Sequence, residues 1–414
     1  MYKFHSFMPS ILCTTMNSNW KAIYNILEKD ERVILGLMSG TSLDGLDIAL
    51  CAIKGSGIDT KLSVLNFTTI PFKKDFKEEI KKIFSKKLAD LQLLTVMNEK
   101  IGSIHAELIL EALSDWQLDP SAIDIIASHG QTIFHAPKSL HRINSYPNAT
   151  LQIGDGDHIA VKTGVITVAD FRQKHIAAGG EGAPLAVYGD YLLFSKIGEA
   201  RIMLNIGGIA NLTFLPGDAN AIGVFSTDIG PGNTIMDQYV QANYTDLYFD
   251  QNGDIAAKGS VNNELLIALK DLDFFEKPFP KTTGPELFNL SYLKTAQSAS
   301  NTTAISKEDV LATLNRLTAS VIVDAIKSCI GKHQSVTVFY SGGGIHNKLL
   351  INYLKADLPG VIFSSTEELG VHPDAKEAVL FALLANETLV GEPIDFGNST
   401  GIPTVFMGKI CFPH

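Results

Sequence analysis

The chain has 414 residues, more than one simple hydrophobic core usually holds, which predicts two to three domains. Hydrophobic residues make up 45% of it and charged residues 19%, a composition that excludes a disordered chain. The formal net charge of -10 supplies no basic surface, so we expect no nucleic-acid partner. No apolar run approaches the ~20 residues that a membrane span needs, so we expect no membrane partner either.

The cysteines Cys13, Cys51, Cys329 and Cys411 are scattered, and no two form a CxxC pair. This spacing predicts neither a disulfide framework nor a zinc site. It fits a protein of a reducing compartment, and we expect a cytoplasmic enzyme.

Residues 1–32 form an N-terminal extension. The apolar patch at residues 9–13 is shorter than the roughly 7–15 residues of a secretory h-region, so we expect no targeting role. Asn19 is placed to cap a short helix whose apolar positions are Trp20, Ile23 and Ile26.

The recognisable core begins at Val33. Apolar strands are predicted at 33–37 and 46–51, joined by a tight, polar, glycine-containing turn. A long helix is predicted from Leu91 to Trp116, followed by a strand at 123–127 that ends at residues 128–130.

The middle of the chain repeats this theme, with strands at 202–206 and 211–215 around a Gly-Gly turn. Ser306 and Asp309 predict the start of a long helix. A strand at 336–340 precedes a glycine triplet, and the last long helix is predicted at 375–389. The two glycine-turned hairpins are separated along the chain by roughly half the length of the recognisable core, which predicts a duplicated α/β unit. We expect two lobes around a central cleft, the first made of 33–200 plus 376–414 and the second of 201–375.

Residues 38–45, with the sequence Met-Ser-Gly-Thr-Ser-Leu-Asp-Gly, have the chemistry of a phosphate cradle. Glycines let backbone N–H groups approach phosphate oxygens, and Ser and Thr hydroxyls add donors. Asp44 or Asp47 would hold the accompanying Mg²⁺. Taken alone, the segment is equally explained as a polar β-turn.

Two later segments favour the phosphate interpretation. The hairpin of residues 205–211 offers further backbone amides, and residues 341–344 (Ser-Gly-Gly-Gly) lie between a strand and a helix, where anions are favoured. The chain contains neither a GxxxxGK[ST] P-loop nor a complete GxGxxG.

Asp228 closes an apolar segment and precedes a stiff Gly-Pro-Gly turn. A carboxylate held in this way suits a general base, and a capping role for the following helix is an equal alternative. Asp170 and Arg172, before a glycine-rich loop, predict a carboxylate-binding group or a surface ion pair. His129 is a candidate sugar ligand or a structural histidine. The chain has no metal-ligand spacing and no GxSxG elbow.

Together the motifs resemble one family, the anhydro-N-acetylmuramic acid kinases of the sugar kinase/Hsp70/actin superfamily. The segments that carry the resemblance are residues 36–45, 128–132, 169–172, 205–208, 228–233 and 341–344. The resemblance implies an α/β, two-lobed, actin-like ATPase fold built on a duplicated ribonuclease H-like unit. It also implies an enzyme that opens 1,6-anhydro-N-acetylmuramic acid with water and phosphorylates O6 with ATP and Mg²⁺, giving N-acetylmuramic acid 6-phosphate in cell-wall recycling. A homodimer is implied by the resemblance alone.

The resemblance also implies roles for particular residues. Asp228 is the base that activates water. The expected ATP-binding residues are Gly40, Thr41, Ser42, Leu43, Asp44, Gly45, Leu46, Asp47, Gly207, Gly208, Gly342, Gly343 and Gly344. The expected substrate-binding residues are His129, Gln131, Asp170, Arg172 and Glu377.

Two departures carry no role from the family, namely His175, where relatives are expected to have an acidic residue, and the extension. Two competing functions remain at this stage. An actin- or Hsp70-like ATPase acting as a scaffold would not need Asp228 as a base. A kinase for an ordinary sugar hydroxyl would use Asp228 to deprotonate that hydroxyl instead of water.

Overall fold

The computed structural model describes residues 16–40, 43–218, 220–330, 336–397 and 401–414. The expected ATP-binding residues Thr41 and Ser42, together with the patch at 9–13, lie outside the described residues. The chain divides into two compact units. The first consists of Met1–Leu193, Asp374–Ile394 and Ile402–His414, and the second of Phe194–Pro373 and Asp395–Gly401.

The described elements alternate in a mixed α/β order. The strands are β1 (Glu31–Ser39), β2 (Gly45–Lys54), β3 (Lys61–Pro71), β4 (Ile125–Ala136), β5 (Ala149–Ile153), β6 (Thr167–Ala169), β7 (Ala200–Ile206), β8 (Ile209–Leu215), β9 (Phe225–Pro231), β10 (Val336–Ser341), β11 (Ile362–Ser365) and β12 (Lys409–Cys411). The helices are α1 (Ser18–Leu27), α2 (Lys74–Lys81), α3 (Leu91–Asp115), α4 (Lys138–His141), α5 (Gly156–Thr163), α6 (Phe171–Ala177), α7 (Ala186–Phe194), α8 (Thr234–Asn243), α9 (Asn263–Lys270), α10 (Asp273–Glu276), α11 (Leu290–Ala299), α12 (Lys307–Ile330), α13 (Lys348–Asp357) and α14 (Lys376–Val390).

Each unit contains one sheet, and the two sheets share a core topology. In the described part of the chain the first sheet has the order β12-β6-β4-β1-β2-β3, with β5 paired to β4, and the second has the order β11-β10-β7-β8-β9. In both, three consecutive antiparallel strands are followed by two strands that run parallel to the first of them. The expectation of an α/β fold with a duplicated unit is therefore confirmed.

The first unit has its core between the sheet and α3, where Leu35 and Ile48 of the sheet pack with Met97 and Ile101 of the helix. On the other side α14 packs against β1, β2 and β4. Gly36 is required there, because a Cβ at this position would overlap the carbonyl oxygen of Ala378 in α14.

The second unit is organised around α12, which was predicted from Ser306. The Ser306 hydroxyl accepts a hydrogen bond from the Asp309 amide at 3.0 Å, as an N-terminal cap does. Leu311, Leu317 and Ile322 of this helix are completely buried against the second sheet. Among the described residues no helix combines the length and the apolar character of a membrane span.

The short helix of the extension exists, but the expected cap is wrong. Asn17, not Asn19, accepts the hydrogen bond of the first turn, from the Trp20 amide. Asn19 lies inside α1 and donates a hydrogen bond to the carbonyl oxygen of His414 at 2.7 Å. The Trp20 ring lies edge-on to Phe412, so the helix is held against the C-terminal residues.

Two strands are longer than the sequence predicted. β4 does not end at residues 128–130 but continues to Ala136, because β5 pairs with its second half. Similarly, Asp228 lies inside β9 and not at a strand end, because pairing with β8 continues to Pro231. β9 is an edge strand, where the missing N–H of a proline is tolerated.

The contact between Gly36 and α14 gives a stability prediction. We expect Gly36→Ala to lower the free energy of unfolding by about 1–3 kcal/mol, since the methyl group meets backbone atoms that cannot rotate away. Urea denaturation followed by circular dichroism measures the change.

Gly360→Ala is the matched control, because a Cβ there has nothing within 4 Å. Equal denaturation midpoints for the two variants would contradict the close approach of β1 and α14.

Candidate functional site

Three glycine-containing segments of the second unit meet around Ile206. The Asn233 side chain donates a hydrogen bond to the Ile206 carbonyl oxygen at 3.3 Å. A Cβ at Gly342 would lie 2.7 Å from the same oxygen, and one at Gly344 would overlap the Ile206 side chain. The fold thus brings together the predicted hairpin of 205–211, the turn after Asp228 and the glycine triplet.

The hairpin also holds the turn that follows Asp228. The Gly207 carbonyl oxygen accepts a hydrogen bond from the Asn233 amide at 2.8 Å, and the Gly208 carbonyl oxygen accepts one from the Gly232 amide at 2.9 Å. A Cβ on Gly232 would overlap the Gly207 oxygen. The backbone of the hairpin therefore holds the turn, and Gly232 is the position at which this close contact requires glycine.

A cavity of about 310 Å³ opens beside the triplet. Its lining includes Asn233, Asp237, Gly343 and His346. Burial raises the pKa of the Asp237 carboxyl to about 6. A small organic molecule fits a cavity of this size, and Gly343 leaves its wall open. The last two glycines of the triplet begin a short 3-10 turn (Gly343–His346), and α13 begins only at Lys348, capped by Asn347.

Asp228 is half-buried in β9. One of its carboxylate oxygens accepts a hydrogen bond from the Thr283 amide at 2.9 Å, and its own amide donates to the Lys281 carbonyl oxygen at 2.9 Å. Burial raises the pKa of this carboxyl, the Thr283 hydrogen bond opposes the rise, and the negative charge of Glu286 adds to it. Its acceptor bond is to Thr283 and not to the first turn of α8, so the cap alternative is not what the geometry shows.

In the first unit, Gln131 of β4 forms hydrogen bonds with Ser39 and Gly40 at the end of β1. Its side-chain oxygen accepts a hydrogen bond from the Ser39 hydroxyl at 2.6 Å, and its amide donates to the Gly40 carbonyl oxygen at 3.2 Å. Gln131 is completely buried. The two ends of its side chain therefore hold the Ser39 hydroxyl and the Gly40 backbone.

Leu43 and Gly45, which lead into β2, are closely constrained. Leu43 is buried with a φ of 59°, and a Cβ on Gly45 would overlap the Ile70 carbonyl oxygen. Asp44 is exposed, and Leu46 is completely buried.

Two carboxylates and an arginine interact in the first unit. Glu377 reaches solvent but is partly desolvated, and this desolvation is the main reason that the pKa of its carboxyl is raised. The positive charge of Arg172 lowers the same pKa, and the negative charge of Asp47 raises it. Burial also raises the pKa of Asp47, which accepts a hydrogen bond from the Thr69 hydroxyl at 2.6 Å. The proton affinity of both carboxylates is therefore increased.

Arg172 is held in place by a histidine and by a loop. Its Nε donates to Nε2 of His129 at 2.8 Å, and its Nη1 donates to the Gly182 carbonyl oxygen at 2.7 Å. Burial, and next the charge of Arg172, lower the pKa of His129 to about 3, so the ring is neutral. Its Nδ1 donates a hydrogen bond to the Gly130 carbonyl oxygen at 2.9 Å, so both ring nitrogens of His129 are engaged.

His175 supports the same loop. Its Nδ1 accepts a hydrogen bond from the Gly182 amide at 3.0 Å, and burial lowers the pKa of the ring to about 4. A histidine therefore orders the loop that binds Arg172, although sequence reasoning gave His175 no role.

Asp170 does not pair with Arg172, although it lines the same cavity as His129. It forms an ion pair with Lys409 of β12 instead of a surface pair with Arg172. Both residues line a cavity of about 390 Å³ with Asp155, Asp157 and Cys411. The backbone of Asp170 has a φ of 60°, which directs the chain from β6 into α6.

Sequence reasoning missed Thr283, Lys281 and Lys409. The first two act on Asp228 through their backbone, which leaves no residue signature, and the third is 239 residues from Asp170. Among the described residues no three His, Cys, Asp or Glu side chains are grouped as ligands of a metal ion.

The comparisons with known proteins agree with these observations. The family model described as "Anhydro-N-acetylmuramic acid kinase" matches residues 32–413. The anhydro-N-acetylmuramic acid kinase of Pseudoalteromonas translucida is 55% identical over 96% of this chain and all of the relative. That of Pseudoalteromonas atlantica is 52% identical over the same shares, and that of Caldanaerobacter subterraneus is 39% identical over 94% of this chain and 99% of the relative.

By this family model and these relatives the chain is a kinase, an enzyme that transfers a phosphoryl group. The chain belongs to the anhydro-N-acetylmuramic acid kinase family. A kinase of this family uses ATP.

Gly343 offers a test of the cavity beside the triplet. A Cβ at Gly343 would have only the side-chain nitrogen of Asn233 within 4 Å, at 3.9 Å, so the fold itself does not require glycine there. We expect Gly343→Val to keep the wild-type melting temperature and to weaken ATP binding by at least about tenfold, or about 1.4 kcal/mol, because the side chain fills nucleotide space. Calorimetric titration with ATP measures the affinity.

Gly344→Ala is the contrasting variant, because its methyl group overlaps Ile206 and lowers the melting temperature without any nucleotide. Wild-type ATP affinity in Gly343→Val would show that the nucleotide does not enter this cavity.

Proposed function

We propose that this protein opens 1,6-anhydro-N-acetylmuramic acid with water and phosphorylates the released O6 with ATP, giving N-acetylmuramic acid 6-phosphate and ADP in cell-wall recycling. The proposal is supported by membership of the family and by the surroundings of Asp228. The alternative acceptor, an ordinary sugar hydroxyl, differs in one respect, since the product would gain no water.

Asp228 acts as the general base in this reaction. The carboxylate takes a proton from water as the water oxygen bonds to the anomeric carbon. The bond between that carbon and O6 breaks, and O6 attacks the γ-phosphorus while the bond to the leaving ADP oxygen breaks. The proton taken by Asp228 is returned to solvent before the next cycle.

The observation that carries this role is the position of the Asp228 carboxylate, which is half-buried and held at one oxygen by the Thr283 amide. A carboxyl with an ordinary pKa is a weak base, and burial increases its proton affinity. The single hydrogen bond from Thr283 orients the carboxylate and leaves its second oxygen available for water. Among the described residues the second oxygen of Asp228 has no hydrogen-bond partner.

The nucleotide side of the reaction is assigned to the glycine-rich segments. Gly40 to Asp47 and the amides of Gly207 and Gly208 are proposed to bind the phosphates, and Gly342–Gly344 the nucleoside. Glu377, whose charge interacts with those of Arg172 and Asp47, is proposed to bind the substrate. Mg²⁺ prefers one or two carboxylates with phosphate oxygens and water, so Asp44 or Asp47 is proposed to hold it. When bound, the ion would neutralise phosphate charge.

Arg172 is proposed to bind the carboxylate of the muramic acid side chain. Two of its nitrogens are held by His129 and Gly182, and its Nη2 has no hydrogen-bond partner among the described residues. A fixed guanidinium with a free donor binds a carboxylate with little loss of side-chain entropy. His129 and Gln131 then act by holding other groups, while Asp170 is proposed to bind a sugar hydroxyl.

Four further assignments complete the proposal. The two units are proposed to correspond to the two predicted lobes, although their boundaries differ from the predicted ones by a few residues. A homodimer is proposed on family membership alone. A cytoplasmic location is proposed from the scattered cysteines, and the lack of a nucleic-acid or membrane partner from the negative net charge and the short apolar runs.

The test of the base is Asp228→Asn. Asparagine keeps the hydrogen bond with the Thr283 amide but accepts no proton from water. We expect kcat to fall by about 10²–10⁴-fold, the usual contribution of a general base, with ATP affinity unchanged. ADP release with the anhydro-sugar measures kcat.

Asp271→Asn, an exposed aspartate at the end of α9, is the control for loss of one charge. A variant at position 228 that keeps more than about a tenth of the wild-type kcat removes Asp228 from the role of base.

A further inference from the structure

Residues 279–286, which we call the Lys281 strap, pass along β9 and make the contacts that hold Asp228. The strap carries both partners of this residue, the Lys281 carbonyl oxygen for its amide and the Thr283 amide for its carboxylate. Each bond is 2.9 Å long. The position of the carboxylate therefore depends on what holds the strap.

One anchor of the strap is the Lys281 side chain, whose ammonium contacts residues of α10. Its Nζ donates hydrogen bonds to the carbonyl oxygens of Phe274 and Phe275, at 2.9 and 3.1 Å. It also lies over the rings of Phe274 and Phe279, 4.5 and 5.2 Å from their centroids. Cation–π contacts and two carbonyl acceptors together hold an ammonium that no carboxylate pairs with in the described part of the chain.

A second anchor is the hydroxyl of Thr227, the residue before Asp228. It accepts a hydrogen bond from the Lys281 amide at 2.9 Å and lies 3.2 Å from the Lys281 carbonyl oxygen. Thr227 is buried. The two anchors meet at one residue, Lys281, which is joined to α10 by its side chain and to β9 by its backbone.

We propose that Lys281 is a positioning residue for the reaction, since its ammonium, held by two carbonyl oxygens and two aromatic rings, and the Thr227 hydroxyl fix the strap that orients the Asp228 carboxylate toward water. This inference rests on the proposed function of Asp228. It adds a residue that touches no reacting atom and acts through the Thr283 amide.

The direction of the effect on proton affinity follows from the hydrogen bond. The Thr283 amide stabilises the ionised carboxylate and lowers its pKa against the rise caused by burial. Glu286, the last residue of the strap, raises the same pKa by a smaller effect. A loose strap weakens both, and because the Thr283 hydrogen bond is the larger of the two, the pKa of Asp228 rises. The base must be ionised to accept a proton, and activity on the acidic side is then lost at a higher pH than in the wild type.

The test compares Lys281→Met with Lys281→Arg. Methionine keeps the apolar stem and removes the ammonium, while arginine keeps a positive charge and its donors. For Lys281→Met we expect kcat to fall by about 10- to 100-fold, the usual cost of a misplaced catalytic group, with the KM for ATP unchanged. We also expect the acidic limb of the pH profile to move to higher pH and Lys281→Arg to restore much of both.

Lys277→Met is the matched control, because Lys277 is an exposed lysine four residues earlier in the chain. If Lys281→Met does not fold, as judged by thermal denaturation, Thr227→Val decides the question, since it removes the other anchor and keeps the side-chain shape. Thr227→Ser should retain wild-type activity.

A folded variant at either anchor with the wild-type kcat and pH profile would overturn the inference. Asp228→Asn is measured in parallel. An active Asp228→Asn shows that the proposed base is wrong, whereas an inactive Asp228→Asn beside a fully active Lys281→Met shows that only the role of the strap is wrong.

Discussion

The backbone of the second unit comes so close to itself around Ile206 that several positions admit no side chain. Gly232 lies against the Gly207 carbonyl oxygen, and Gly342 and Gly344 lie against Ile206. Since these contacts join a hairpin, an edge strand and a triplet that are far apart in sequence, they fix both the cavity beside Gly343 and the strand that carries Asp228. Glycine is needed at these positions for the fold before it is needed for a ligand.

Within that frame, Asp228 has an environment that opposes its charge and one amide that supports it. A carboxylate with several hydrogen bonds would be stable and unreactive, and one without any would be protonated or disordered. The strap supplies an intermediate condition, in which one oxygen is oriented and the proton affinity remains high. The first unit orders its groups in the same manner, since His129, Gln131 and His175 are buried and engaged at the atoms that hold Arg172 or the turn after β1.

Much of the fold could be predicted from the sequence, because its signals are local. Apolar runs beside glycine turns gave β1, β2, β7 and β8, and the spacing of apolar residues gave α3 and α12. The errors arose where a partner decides. β4 and β9 extend as far as their neighbouring strands pair with them, and Asn17 and Asn19 are equally suited to capping until the C-terminal residues engage one of them.

The site was predicted less completely than the fold. Motif residues such as Asp228 and Arg172 are recognisable in the sequence, but the residues that hold Asp228 are not. Thr283 and Lys281 lie 55 and 53 residues beyond Asp228 and contact it through backbone groups, which every residue type carries. The expected contacts of His129 and Gln131 with the sugar stay a prediction; in the structure both side chains are buried and hydrogen-bonded within the protein.

The measurement that tests the proposed reaction most directly is made on the wild-type protein with Mg²⁺-ATP and 1,6-anhydro-N-acetylmuramic acid in ¹⁸O-labelled water. We expect ADP release that depends on the sugar and a product heavier by one phosphoryl group and one labelled water, with the label at the anomeric carbon. A product that gains phosphate without water, or ADP release that ignores the sugar, would contradict the coupled hydrolysis and phosphorylation proposed for this protein.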